Sequence, residues 1–136
     1  MQKAIICDID GTLAIMSDRS PYDYEKSIND TLNKPVAEIL GKFARTHTII
    51  LVTGREETNL KTTLKWLQKN NVPYHMIFMR KESDFRKDNV IKREIFYNEI
   101  NGKYEISFVL DDRNQVVDMW RKDLGLTCLQ VNYGDF

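Results

Sequence analysis

Long apolar runs are missing from this chain. Nothing approaches the ~20 apolar residues of a membrane-spanning helix, and the first residues carry no long apolar core of a secretory signal. A cytoplasmic location is the expectation. Cysteine is scarce: Cys7 and Cys128 are the only two, too few for a disulfide framework. Each sits in an apolar run and reads as a buried thiol of a reducing compartment. Net charge is absent, with 20 Lys+Arg against 20 Asp+Glu. No global field draws the chain to a polyanion, so a phosphate site has to come from local arrangement. The two histidines, His47 and His75, lack ligand spacing with each other or with acids and read as structural or surface residues. Internal repeats and low-complexity linkers are absent too. So is any Gly-x-x-x-x-Gly-Lys-Ser/Thr loop, which removes the expectation of nucleotide-dependent kinase activity.

What remains is an alternation of short apolar runs and helical patterns over 136 residues, the length of one domain, residues 1–136. Residues 4–8 read as a first strand. Residues 14–34 are polar and read as a loop with at most a helical turn. Pro35 opens a helix, with Val36, Ile39, Leu40 and Phe43 on one face. Residues 48–52 form a second strand, and a helix over 56–69 presents Leu60, Leu64 and Leu67. A third strand covers 74–79. Asp88 caps a helix over about 89–100 that turns Ile91, Ile95 and Phe96 inward. Residues 106–110 make a fourth strand. A helix from Asn114 buries Val117, Trp120 and Leu124 up to Gly125, and a fifth strand spans 127–131. The expected fold is α/β: a doubly wound, Rossmann-like, five-stranded parallel sheet with helices on both faces and no large cap domain.

Such sheets bind ligands beyond the carboxyl ends of their strands, and the polar clusters fall there. Asp8 and Asp10 follow strand one, Thr53, Gly54 and Arg55 follow strand two, and Asp111 and Asp112 follow strand four. Alone, each is bland: a solvated Asp-x-Asp, a turn, a helix cap. Together they fit phosphoryl transfer, which needs a nucleophile, a proton for the leaving group and positive charge around the phosphoryl. Asp8 suits the nucleophile. Asp10, two residues on and roughly 6–7 Å away in extended chain, can reach the leaving oxygen. Gly11 permits the sharp turn between them. The Asp111-Asp112 pair offers hard oxygens suited to Mg²⁺. Thr53 can donate a hydroxyl hydrogen bond, and a lysine can neutralise developing charge.

Asp8-Ile9-Asp10-Gly11-Thr12, Thr53-Gly54-Arg55, a downstream lysine and Asp111-Asp112 resemble, in order, the four motifs of the haloacid dehalogenase superfamily. Longer segments narrow the likeness: Arg19 to Asp23, Arg86 to Phe96, Asp111 to Arg121 and the ending Gly134-Asp135-Phe136. They are similar to the 3′-phosphatase domains of phage polynucleotide kinase/phosphatases. The resemblance implies removal of a 3′-terminal phosphate from DNA or RNA through an aspartyl-phosphate, in nucleic acid end repair. It implies Asp8 as nucleophile and Asp10 as general acid–base. Arg19 and Arg55 would be arginines needed for activity, Asp88 a supporting acid and Lys92 the motif lysine. Asp8, Asp10, Asp111 and Asp112 would form the Mg²⁺ site. Lys92, on the first full turn of its helix, is favoured over Lys87, which precedes it. Asp88 is expected to orient Lys92 or Arg55.

The absence of a large cap favours a phosphate at the end of a polymer. Arg19, Arg80 and Arg113 could contact neighbouring backbone phosphates, giving sequence-independent, salt-dependent binding; for Arg80 and Arg113 a plain salt bridge is nearly as good a reading. Two other functions stay open: a phosphatase for small esters or phosphoprotein, and a signalling receiver domain. The receiver is disfavoured because its paired acids belong near the first strand and its lysine after the last.

Overall fold

The computed structural model describes all 136 residues. Five parallel strands form the main sheet: β1 (Gln2–Cys7), β4 (Thr48–Glu56), β5 (Met76–Arg80), β6 (Tyr104–Asp111) and β7 (Cys128–Gln130). Their spatial order is β5-β4-β1-β6-β7. β1 is therefore central, paired in parallel with β4 on one side and β6 on the other. The chain runs outward from β1 in one direction and then returns to build the other, so the switch point lies at the tip of β1.

The four helices are α1 (Lys34–Phe43), α2 (Leu60–Lys69), α3 (Asp88–Ile95) and α4 (Asn114–Asp118). Alternation along β1 explains the layers, because successive side chains point to opposite faces. Ile5 and Cys7 join Val36 and Leu40 of α1 and Trp66 and Leu67 of α2 in one core. Ala4 and Ile6 join Val116 and Val117 of α4 and Phe96, Ile100 and Trp120 in the other. Both cysteines are free and buried. His75 accepts a hydrogen bond from the Ile49 N–H at 2.8 Å, and His47 lies beside Ser107 at 3.1 Å; both histidines are structural. No helix is long and apolar enough to cross a membrane.

Three expectations need correction. Residues 14–34 are more than a loop. They hold a two-stranded antiparallel ribbon, β2 (Ala14–Ile15) with β3 (Thr31–Leu32), and a 3₁₀ turn over Tyr24–Asn29. On α2, Leu64 and Leu67 pack on the core as expected, but Leu60 is 38% exposed, and Thr63 and Trp66 are buried. A short 3₁₀ turn, Glu57–Asn59, starts α2 later than the sequence pattern suggests. Finally, α3 and α4 each run into a wide π turn, Phe96–Ile100 and Met119–Asp123. The extra residue per turn moves the buried face, placing Ile100 and Met119 inside.

Candidate active site

The tip of β1 turns sharply. The Ile9 carbonyl accepts hydrogen bonds from the N–H groups of Thr12, Leu13 and Ala14 at 2.9–3.2 Å. Gly11 sits at φ +84°, and a Cβ there would lie 2.1 Å from Asp112 Oδ2. Only glycine allows both that backbone angle and that approach. The turn sends Asp8 and Asp10 into two different environments.

Asp8 is buried against Asp111 and Asp112. One oxygen from each of the three carboxylates lies within 4.8 Å of the others. Lys92 Nζ donates to Asp8 Oδ1 at 2.8 Å and to Asp111 Oδ2 at 2.9 Å. Thr12 Oγ1 lies 3.0 Å from Asp8 Oδ2 and 3.2 Å from Asp112 Oδ1. Trp120 Nε1 donates to Asp111 Oδ2 at 3.1 Å. Burial pushes Asp8 well above the usual carboxylate range; the charge of Asp111 adds to this and Lys92 offsets part of it. Burial raises Asp112 as well. Burial alone would favour neutral Lys92, but the charges of Asp111 and Asp8 outweigh it and hold the ammonium above its ordinary range. Three carboxylates and one ammonium, −3 + 1, leave a formal charge of −2. Hard oxygens carrying that charge fit a divalent cation such as Mg²⁺.

Asp10 faces the other way. Arg55 grips it with a two-pronged fork, Nε to Oδ2 at 2.8 Å and Nη2 to Oδ1 at 2.7 Å. Arg19 Nη2 is 3.6 Å from Asp10 Oδ1. The Asp10 carboxylate therefore lies outside the acidic cluster of Asp8, Asp111 and Asp112, held by the arginines. Asp30 anchors the pair from behind, accepting from Arg19 Nε and Nη2 at 3.0 and 2.9 Å, with Arg55 Nη2 at 3.7 Å. Burial would raise Asp30, but the Arg19 hydrogen bonds prevail and lower it. The Tyr24 ring lies against both guanidinium groups, 5.5 Å from Arg19 Cζ and 5.3 Å from Arg55 Cζ. Its hydroxyl is pushed up to about 12, chiefly by burial and then by the Asp10 charge.

Thr53 is buried and its Oγ1 accepts from the Arg55 N–H at 3.1 Å, which leaves its own proton to donate. Gly54 is needed because a Cβ would sit 2.4 Å from Asp88 Oδ1. Asp88 neither caps α3 nor orients Lys92 or Arg55. Its carboxylate bonds Arg80 and, at 2.9 Å, Arg113. Arg80 also donates to the Gly54 and Asp84 carbonyls, each at 2.8 Å. Asp88 thus ties the ends of β4, β5 and β6 together. Arg80 and Arg113 both pair with Asp88, the salt bridges that their sequence positions also allowed. Lys87 is exposed and Lys92 buried.

In the sequence Thr12, Tyr24 and Asp30 carry no signal of their own, and Trp120 reads only as packing. The one available signal was charge: two arginines assigned to one small site need a buried counter-charge.

The family described as the polynucleotide kinase PNKP phosphatase domain matches residues 2–136. The chain belongs to that family. This phosphatase domain is also 35% identical, over 123 residues, to a putative bifunctional polynucleotide kinase/RNA ligase of Autographa californica nuclear polyhedrosis virus. The match covers 88% of this chain and 18% of the viral protein. A solved Pnkp1/Rnl/Hen1 complex contains a chain 49% identical, with a TM-score of 0.98 over 100% of this chain and 48% of that one. A Pnkp1/Rnl/Hen1 RNA repair complex gives 49% identity and a TM-score of 0.97, over 99% of this chain and 44% of that one. The phosphatase domain thus spans less than half the length of these relatives.

Proposed function

We propose that this chain is a Mg²⁺-dependent polynucleotide 3′-phosphatase that clears phosphate from nucleic acid ends during repair. The observation that carries this reading is the split at the tip of β1. Asp8 stands in a buried acidic cluster of net charge −2, and Asp10 stands two residues on in a fork of arginines. Membership of the phosphatase family supports the chemistry. The kinase/ligase relative and the RNA repair assemblies support ends of RNA, free of sequence preference, as substrate.

Asp8, Asp111 and Asp112 would hold Mg²⁺, which would supply the positive charge that lets an anionic carboxylate meet an anionic phosphate. Asp8 attacks phosphorus; an Asp8 O–P bond forms and the P–O3′ bond breaks. Asp10 gives a proton to the departing 3′-oxygen. Asp10 then takes a proton from water as that water attacks phosphorus, releasing phosphate and restoring Asp8. Lys92 holds Asp8 in place, Thr53 donates to a phosphoryl oxygen, and Arg55 and Arg19 aim Asp10.

The test compares kcat/KM on a 3′-phosphorylated oligonucleotide, its 5′-phosphorylated counterpart and an aryl phosphate. A preference of 100-fold or so for the 3′-phosphate is expected. Equal values would sink the nucleic acid reading in favour of a phosphatase for small esters or phosphoprotein. Wild-type turnover by Asp8→Asn would sink the covalent mechanism.

A further inference from the structure

Three aromatic rings are the most exposed large apolar side chains: Tyr22 at 87%, Phe85 at 88% and Tyr133 at 98%. Each lies beyond the carboxyl ends of the strands, and each is fixed next to a residue of the site. Tyr22 follows Pro21, whose carbonyl is 3.3 Å from Arg19 Nη1. Phe85 lies between Asp84 and Arg86, whose backbone carbonyls both accept from Arg80 Nη1. Tyr133 precedes Gly134, whose carbonyl accepts from the Asn114 N–H at 2.8 Å and whose Cα packs on the Asp112 backbone. Phe85 follows β5 and Tyr133 follows β7, the two outer strands. Four strand spacings of about 4.8 Å separate those strands, roughly 19 Å across the mouth.

The cations of this rim are already engaged. Arg19 is paired with Asp30, and Arg80 and Arg113 share Asp88. Asp30 occupies Arg19, whereas Arg80 and Arg113 divide one carboxylate and keep a single positive charge between them. Solvent-exposed rings around a mouth several nucleotides wide offer something else, a π face that every base can use.

We propose that Tyr22, Phe85 and Tyr133 form a stacking rim that binds the bases next to the scissile 3′-phosphate and gives the site a hold on a strand beyond the terminal phosphate. The proposal rests on the 3′-phosphatase reading and specifies how the substrate is gripped. Stacking accepts any base, so recognition is sequence-independent, with little salt dependence from this part of the site.

The experiment compares wild type with Tyr22→Ala, Phe85→Ala, Tyr133→Ala and the triple variant. Substrates are a nucleoside 3′-monophosphate, a hexanucleotide 3′-phosphate and the same hexamer with abasic positions before the terminal nucleotide. A second readout is quenching of 2-aminopurine placed beside the 3′-phosphate, on Asp8→Asn to keep the substrate intact. The expected result is a KM on the hexamer raised roughly tenfold for each ring that stacks. Rates on the mononucleotide stay unchanged, and quenching is lost with the rings. Equal kcat/KM for normal and abasic hexamers with wild type overturns the proposal while leaving the 3′-phosphatase reading intact. If wild type prefers no oligonucleotide over an aryl phosphate, that reading itself fails. Unchanged kinetics together with lost binding to a partner protein also overturns the proposal and assigns the rings to a protein interface.

Discussion

Asp8 and Asp10 leave the same strand two residues apart and enter surroundings of opposite sign. Asp8 meets two further carboxylates and a single lysine. Asp10 meets two arginines, themselves backed by Asp30. The acidic half suits a cation, while in the other half two arginines balance Asp10 and Asp30 and hold the Asp10 carboxylate in one orientation. One tight turn with glycine at its centre separates two carboxyl groups that plain extended chain would have left alike.

The strongest way to break this comparison is to remove each acid in turn. Asp8→Asn should lower turnover by about 10⁴-fold or more, as loss of a nucleophile does. Asp10→Asn should lose about 10²–10⁴-fold, the share of a general acid–base. Single-turnover release of labelled phosphate from a 3′-phosphorylated oligonucleotide measures both. Equal losses would erase the proposed division of roles.

A second test strikes the anchor of the basic half. Asp30→Asn leaves two buried guanidinium groups short of counter-charge, which costs about 3–5 kcal/mol and is read by urea unfolding. Because the folded-state pKa of Asp30 is lowered from 3.8, its contribution is complete above that value. It is lost as pH falls through the lower folded value. The stabilities of wild type and Asp30→Asn should therefore converge in acid; a gap that persists at the lowest pH would contradict this ion-pair account.

The acidic half is probed through Trp120. Its indole N–H orients Asp111, so Trp120→Phe should weaken activation by Mg²⁺ about 10- to 100-fold, visible as a shifted Mg²⁺ titration with kcat at saturation largely kept. The smallest effect concerns Tyr24. Tyr24→Leu removes the ring that lies against Arg19 and Arg55 and should cost about 1 kcal/mol, whereas Tyr24→Phe keeps the π face and should stay near wild type. A loss in the Phe variant equal to that in the Leu variant would mean the hydroxyl matters and the stacking does not.

The sheet was legible because short β-branched runs recur with polar clusters at their ends. The family resemblance added a substrate class that periodicity alone does not carry. What stayed hidden was geometry set by local departures from regularity. Trp66 sits in a helical pattern that reads as packing, which conceals that its indole donates to the Asp30 carbonyl at 2.8 Å. The π turn after α4 brings Trp120, already expected inward, to Asp111. Asp30 lies 11 residues from Arg19 and 25 from Arg55, in a polar stretch without period, so no window of sequence joins them. Asp88 showed the opposite failure: it reads as a cap, but it is the first residue of α3 itself and its carboxylate goes to two arginines from other strand ends.

The central place of β1 also makes the molecule separable in a particular way. A cut in the exposed segment Lys81–Lys87 yields one piece with Asp8, Asp10, Arg19, Asp30 and Arg55, and another with Lys92, Asp111 and Asp112. Neither piece holds the acidic cluster, and the two meet along the β1–β6 ladder. Catalysis by such a split pair would report reassembly of the strands, turning the active site into a gauge of fragment complementation.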